Sequence, residues 1–186
     1  MANGIGISPN SADAVKYYRK ACDGGDAVSC SNLGYMLQYG NGAPQSDVEA
    51  ADFYRTACAG GGAMGCANYG HMLDHAKGVA NDPAAALRNY AVGCEGGVMF
   101  ACTSLGFMYS EARGVPQNDV EAIASYRKAC DGADSAGCNS LGAMYFNGRG
   151  IEADVTRGAA LFERALELDP DNESAKSNLA LARKGA

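Results

Sequence analysis

The chain has 186 residues, of which 47% are hydrophobic and 19% charged, enough apolar material for a packed core and too patterned for a disordered segment. Its net charge of −6 and pI of about 4.8 exclude the basic footprint of a nucleic-acid binder. No apolar run approaches the roughly 18 residues that a membrane-spanning helix needs, so membrane insertion is not expected.

Residues 1–10 read as an N-terminal tail. Met1-Ala2-Asn3-Gly4-Ile5-Gly6 has no basic start and no apolar run, so no signal peptide is expected in this chain. From Ser11 onward the sequence repeats. Cys22, Cys58, Cys94 and Cys130 stand 36 residues apart, and so do Cys30, Cys66, Cys102 and Cys138. The same step relates Ala14, Ala50, Ala86 and Ala122, then Tyr18, Tyr54, Tyr90 and Tyr126, then Gly34, Gly70, Gly106 and Gly142. A period of this length marks a stacked-repeat architecture, and comparison between copies shows which positions the architecture requires.

Each copy reads as two helices. Asp82 before Pro83 is an expected N-cap followed by proline at the first helical position. Residues 119–130 form an expected first helix, with Asp119 as N-cap and Ala122, Tyr126, Ala129 and Cys130 on one face. Asp131-Gly132 ends it. A second helix is expected from Ala136 through Asn147, burying Cys138, Leu141, Gly142 and Tyr145, and Gly148-Arg149-Gly150 turns the chain into the next copy. Four such copies span residues 11–155. Residues 156–186 are expected to cap the stack, ending in the polar tail Arg183-Lys184-Gly185-Ala186. One helix pair cannot bury its own apolar face, whereas several stacked pairs can. The expected fold class is therefore all-α, a right-handed α-α superhelix, elongated and curved.

Cys22 falls in the last turn of one helix and Cys30 in the first turn of the next, at the same end of an antiparallel pair. Disulfides are expected for Cys22 with Cys30, Cys58 with Cys66, Cys94 with Cys102, and Cys130 with Cys138. In the last copy Leu166 replaces the first cysteine and the second is absent too, as paired residues should be. Zinc ligation and buried thiols are the rivals, although no CxxC pair is present. Four disulfides place the chain in an oxidising compartment, the periplasm or the exterior; the mitochondrial intermembrane space also tolerates them.

The block Ala-x-x-Tyr-x-x-Ala-Cys-x-Gly, followed by Cys-x-x-Leu-Gly-x-Met-Tyr-x-x-Gly-x-Gly, resembles Sel-1-like repeats, relatives of the tetratricopeptide repeat. The 36-residue length and cysteine spacing are similar to the secreted, cysteine-rich bacterial branch that includes the Helicobacter cysteine-rich proteins. The last copy resembles a tetratricopeptide repeat through Leu168-Asp169-Pro170-Asp171-Asn172. The resemblance implies an interaction scaffold holding a protein or peptide in a concave groove; a monomer without a cofactor is expected. It also implies an alternative, a weak β-lactamase or penicillin-binding protein.

In the tetratricopeptide fold the second helix of each pair faces that groove. Its outward positions should vary between copies, because the ligand sets them. One position reads Tyr35, His71, Phe107, Ala143; another Gln38, Asp74, Ser110, Phe146; a third Tyr39, His75, Glu111, Asn147; a fourth Val28, Met64, Phe100, Ala136. Asn139 joins Phe146 as a candidate in the fourth copy. This aromatic, Met-containing set suits an extended peptide or a helix. Inter-repeat packing is the competing role for each residue. None of these positions is basic, so a clamp for a C-terminal carboxylate is not expected.

His71 and His75 are one helical turn apart and match the spacing of two metal-ligating imidazoles, but the chain has no other histidine and no metal is expected. Ser125-Tyr126-Arg127-Lys128 matches S-x-x-K in form. The repeat accounts for it: Tyr126 is the recurring core tyrosine, and Ser125 stands where Tyr17, Phe53 and Asn89 stand. No catalytic residue is expected.

Overall fold

The computed structural model describes residues 10–184, in which ten α-helices are the regular structure. Residues 1–9 of the expected tail, and Gly185-Ala186, lie outside the described residues. The chain divides into two compact units, Met1–Asn81 and Asp82–Ala186. The first holds α1 (Ser11–Asp23), α2 (Ala27–Tyr39), α3 (Asp47–Ala59) and α4 (Ala63–Asp74). The second holds α5 (Pro83–Glu95), α6 (Met99–Ser110), α7 (Asp119–Asp131), α8 (Ser135–Asn147), α9 (Val155–Leu168) and α10 (Glu173–Ala182). Odd-numbered helices are first helices of a pair and even-numbered ones are second helices.

Side-chain caps start most of them. Asp82 accepts from the Ala85 N–H at 2.9 Å, with Pro83 following as the sequence pattern predicts. The cap of α7 differs from expectation. Asn118, not Asp119, takes the extended cap conformation and accepts from the Glu121 N–H at 3.2 Å. Asp119 is thereby the first helical residue, and its carboxylate pairs with Arg149 at 3.1 Å. Helix α8 begins at Ser135 because Asp134 caps it, accepting from the Gly137 N–H at 2.7 Å.

Helices α2, α6 and α8 each lie between two first helices. Helix α2 packs on α1 and α3 and beside α4; α6 packs on α5 and α7 and beside α8. The contact between copies explains the recurring Gly and Tyr. A Cβ on Gly34 would stand 2.8 Å from the Tyr54 ring, and one on Gly106 would stand 2.7 Å from the Tyr126 ring. The aromatic ring fills the space that a side chain would need. Tyr54 is fully buried, and its hydroxyl donates to Gln38 Oε1 at 2.8 Å. The Tyr126 and Ser110 hydroxyls meet at 3.3 Å. Between α8 and α9 both polar partners are gone, and Phe146 packs edge-on against Phe162, with ring centroids 6.3 Å apart.

All eight cysteines are paired as expected, Cys22–Cys30, Cys58–Cys66, Cys94–Cys102 and Cys130–Cys138, so zinc ligation and free thiols fall away. The Cα–Cα distances of 4.4 to 4.7 Å come from the close approach of the two helices at the turn. Each bridge closes a short loop and stabilises by roughly 2–3 kcal/mol in the chain-entropy account.

Candidate ligand-binding face

The groove candidates separate into two groups by burial. In the first unit Val28, Tyr35, Tyr39 and Met64 are exposed, with Tyr35 at 52%. Tyr35 and Tyr39, one turn apart on α2, hold their rings 4.6 Å from centroid to centroid. His71 is half-buried and His75 exposed, with ring centroids 4.2 Å apart. In the second unit Phe100 and Phe107 are exposed, and the Arg113 guanidinium lies 5.8 Å from the Phe107 ring centroid.

Other candidates turn inward or toward a neighbouring helix. Gln38 is 9% exposed because it receives the Tyr54 hydroxyl, and Asp74 is buried at the same position of its copy. Phe146 joins the apolar cluster of Phe162, Leu179 and Ala182. Asn139 accepts from Asn178 Nδ2 of α10 at 2.9 Å. Glu111 is exposed, and its carboxylate pairs with Arg149 at 3.1 Å. Gln38, Phe146, Asn139 and Glu111 each bond to or pack against a neighbouring copy.

Two basic residues near this face lie outside the four columns read from the sequence. Arg113 flanks Phe107. Arg149 ties the end of α6 to the start of α7, reaching Glu111, Asp119 and the Ser110 carbonyl. The signal was a column of its own: Asn41, Lys77, Arg113 and Arg149 are also 36 residues apart, and three of the four are basic.

Burial is the main cause pushing the His71 imidazole below its ordinary value, and the neighbouring His75 and Lys77 add to it against the opposing Asp74. His75 Nδ1 lies 3.1 Å from the His71 carbonyl oxygen, so this ring is turned to the backbone. Among the described residues no three His, Cys, Asp or Glu side chains group so as to hold a metal ion. Ser125 is buried and Lys128 exposed, so the S-x-x-K match gathers no catalytic group around a reachable nucleophile. Among the described residues no helix is long and apolar enough to cross a membrane.

Paired helices, copy-to-copy Gly–aromatic contacts and four disulfide clamps define an α-α solenoid repeat protein. The chain belongs to the Sel1 repeat family, whose profile matches residues 1–26, 27–62, 63–98, 100–134 and 135–170. It is similar in structure to a protective antigen present in uropathogenic Escherichia coli strains, with a TM-score of 0.87 and 32% identity. That match covers 98% of this chain and 39% of the antigen, so the chain spans well under half of the antigen's length. A Sel1 repeat protein from Oxalobacter formigenes shares the fold, with a TM-score of 0.80, 24% identity, and coverage of 97% of this chain and 82% of that one. Helicobacter pylori cysteine-rich protein B does so with a TM-score of 0.56, 24% identity, and coverage of 73% of this chain and 98% of that one. No curated protein matches the chain in sequence.

Proposed function

We propose that the chain is a protein-binding scaffold whose ligand lies on the outward face of the second helices, and that it works outside the cytoplasm. Sel1 repeats are commonly interaction scaffolds, and one observation carries the finer reading. Large apolar side chains stand exposed on second helices, at positions that vary from copy to copy: Tyr35, Tyr39 and Met64 in one unit, Phe100 and Phe107 in the other. A scaffold position recurs because the fold demands it, as Tyr54 and Tyr126 do. A varying, solvent-facing aromatic has no such demand on it, and exposed aromatics are the residues that dominate binding energetics. The disulfides fix each helix pair before binding, which lowers the ordering cost that association must meet. No observation favours a β-lactam site.

The test is affinity capture from native extracts using the wild type, Tyr35→Glu, Phe107→Glu and the double variant, read by mass spectrometry. A protein retained by the wild type and lost from the double variant supports the reading, and the single variants assign it to one unit or the other. Identical captures from all four chains overturn it.

A further inference from the structure

We infer that His71 and His75 form an open, two-imidazole site for a Cu²⁺ ion at the C-terminal end of α4. The fold demands neither histidine. Other copies hold Tyr35, Phe107 and Ala143 at the first position, and Tyr39, Glu111 and Asn147 at the second. The two rings lie one helical turn apart, with their centroids separated by 4.2 Å. Imidazole nitrogens sit about 2.0–2.1 Å from a bound zinc, so two on one first-row ion stand up to about 4 Å apart, and these rings need little movement to share one.

The surroundings prepare both rings. His75 Nδ1 lies 3.1 Å from the His71 carbonyl oxygen, which can only accept, so Nδ1 carries the proton and Nε2 keeps the lone pair. A metal-ligating histidine fixes its tautomer in this way, through its second nitrogen. Burial keeps the His71 imidazole neutral at pH 7, so a metal ion meets a lone pair there without displacing a proton. The local charge also favours a cation. Helix α4 ends at Asp74, and a helix C-terminus carries partial negative charge. The buried Asp74 carboxylate stands 3.7 Å from His75 Nδ1, whereas Lys77, which opposes a cation, is exposed and screened by solvent. Among the described residues no third His, Cys, Asp or Glu completes the set, and all eight thiols are in disulfides, which excludes a closed structural site. Two nitrogens remain, with water for the other positions. Imidazole and oxygen donors in a tetragonal arrangement suit Cu²⁺, which also stands highest in the affinity order of divalent first-row ions. The site uses none of the aromatic side chains assigned to protein binding, so either assignment can fail alone.

The test titrates the chelator-treated full chain with copper sulfate against a chromogenic Cu²⁺ indicator, for the wild type, His71→Phe, His75→Asn and the double variant. Electron paramagnetic resonance and spin-echo spectra at one equivalent count the bound imidazoles. Phe107 and Asn147 already occupy these two positions in other copies, so the variants are expected to keep the wild-type circular dichroism. The wild type should take up one equivalent and show two imidazole nitrogens. Each single variant should bind at least about tenfold more weakly and show one, because the second of two linked ligands binds at high effective concentration. Equal affinity in the wild type and the double variant, or a loss in only one of the single variants, overturns the inference. The nitrogen count on the wild type stands whatever the variants do: one imidazole, or no Cu²⁺ retained, overturns it as well.

Discussion

At the residue scale, the copies disagree at two backbone positions, and the disagreement predicts where stability is held back. Gly40 and Gly148 end their helices with left-handed backbone, at φ of 69° and 64°. The same step of the repeat is Ala76 and Ala112, both at φ 53°. Gly25, Gly61 and Gly97 likewise give way to Ala133, at φ 64°. An L-residue with a Cβ is strained in this region by about 1–2 kcal/mol, partly offset by the greater entropy that glycine has in the unfolded chain. Ala76→Gly, Ala112→Gly and Ala133→Gly should each stabilise by about 0.5–1 kcal/mol, read as a rise in urea midpoint without a change in slope. Destabilisation by all three would show that surrounding contacts, not φ, set these positions.

At the element scale the sequence carried the helices plainly but half of the candidate face poorly. Helix positions were legible because Ala122, Tyr126 and Cys130 recur at helical spacing four times over. The column Gln38, Asp74, Ser110, Phe146 varies between copies, and variation alone points to a ligand. For Gln38, Ser110 and Phe146 the partner lies sixteen residues on, at Tyr54, Tyr126 and Phe162. The polar residues go with tyrosine and Phe146 goes with Phe162, a correlation visible in the sequence once the columns are set side by side. Asn139 was illegible for another reason: its partner Asn178 lies in the last copy, which departs from the 36-residue step. Tyr54→Phe should cost about 1–3 kcal/mol, because it strands a buried carbonyl oxygen on Gln38. Gln38→Leu added to Tyr54→Phe should recover part of that loss, with a coupling of about 0.5–3 kcal/mol in a double-mutant cycle. Strict additivity would mean that the hydrogen bond contributes nothing.

The end of α4 adds a pH dependence to the same scale. His71 has its imidazole pushed below the ordinary 6.5, first by burial and then by His75 and Lys77. The unfolded chain therefore takes up a proton at His71 before the folded one does. Its contribution is fully present above pH 6.5 and is lost as pH falls from there toward the depressed folded value. The urea midpoint should drop between pH 7.5 and 5.5, and His71→Phe should flatten that drop, since phenylalanine already occupies this position as Phe107. An unchanged slope in the variant would place the acid sensitivity elsewhere.

At the scale of the whole molecule, the four disulfides and the total stability are of the same order. Four closures at roughly 2–3 kcal/mol each sum to about 10 kcal/mol, within the 5–15 kcal/mol that a folded domain typically has in all. Reduction with a phosphine should therefore lower the thermal midpoint by at least about 20 °C or abolish the cooperative transition, with each unit losing two of its bridges. The dependence bears on where the protein works. A chain that needs its bridges to stay folded must be made or matured where thiols are oxidised, whereas one that keeps its midpoint on reduction has no such requirement. Protein taken from its native host, denatured under acid and alkylated without reductant, should expose no modifiable thiol and become eightfold modified only after reduction. Eight reactive thiols before reduction, together with an unshifted thermal midpoint, would return the cysteines to the role of small buried hydrophobes and remove the ground for an extracytoplasmic scaffold.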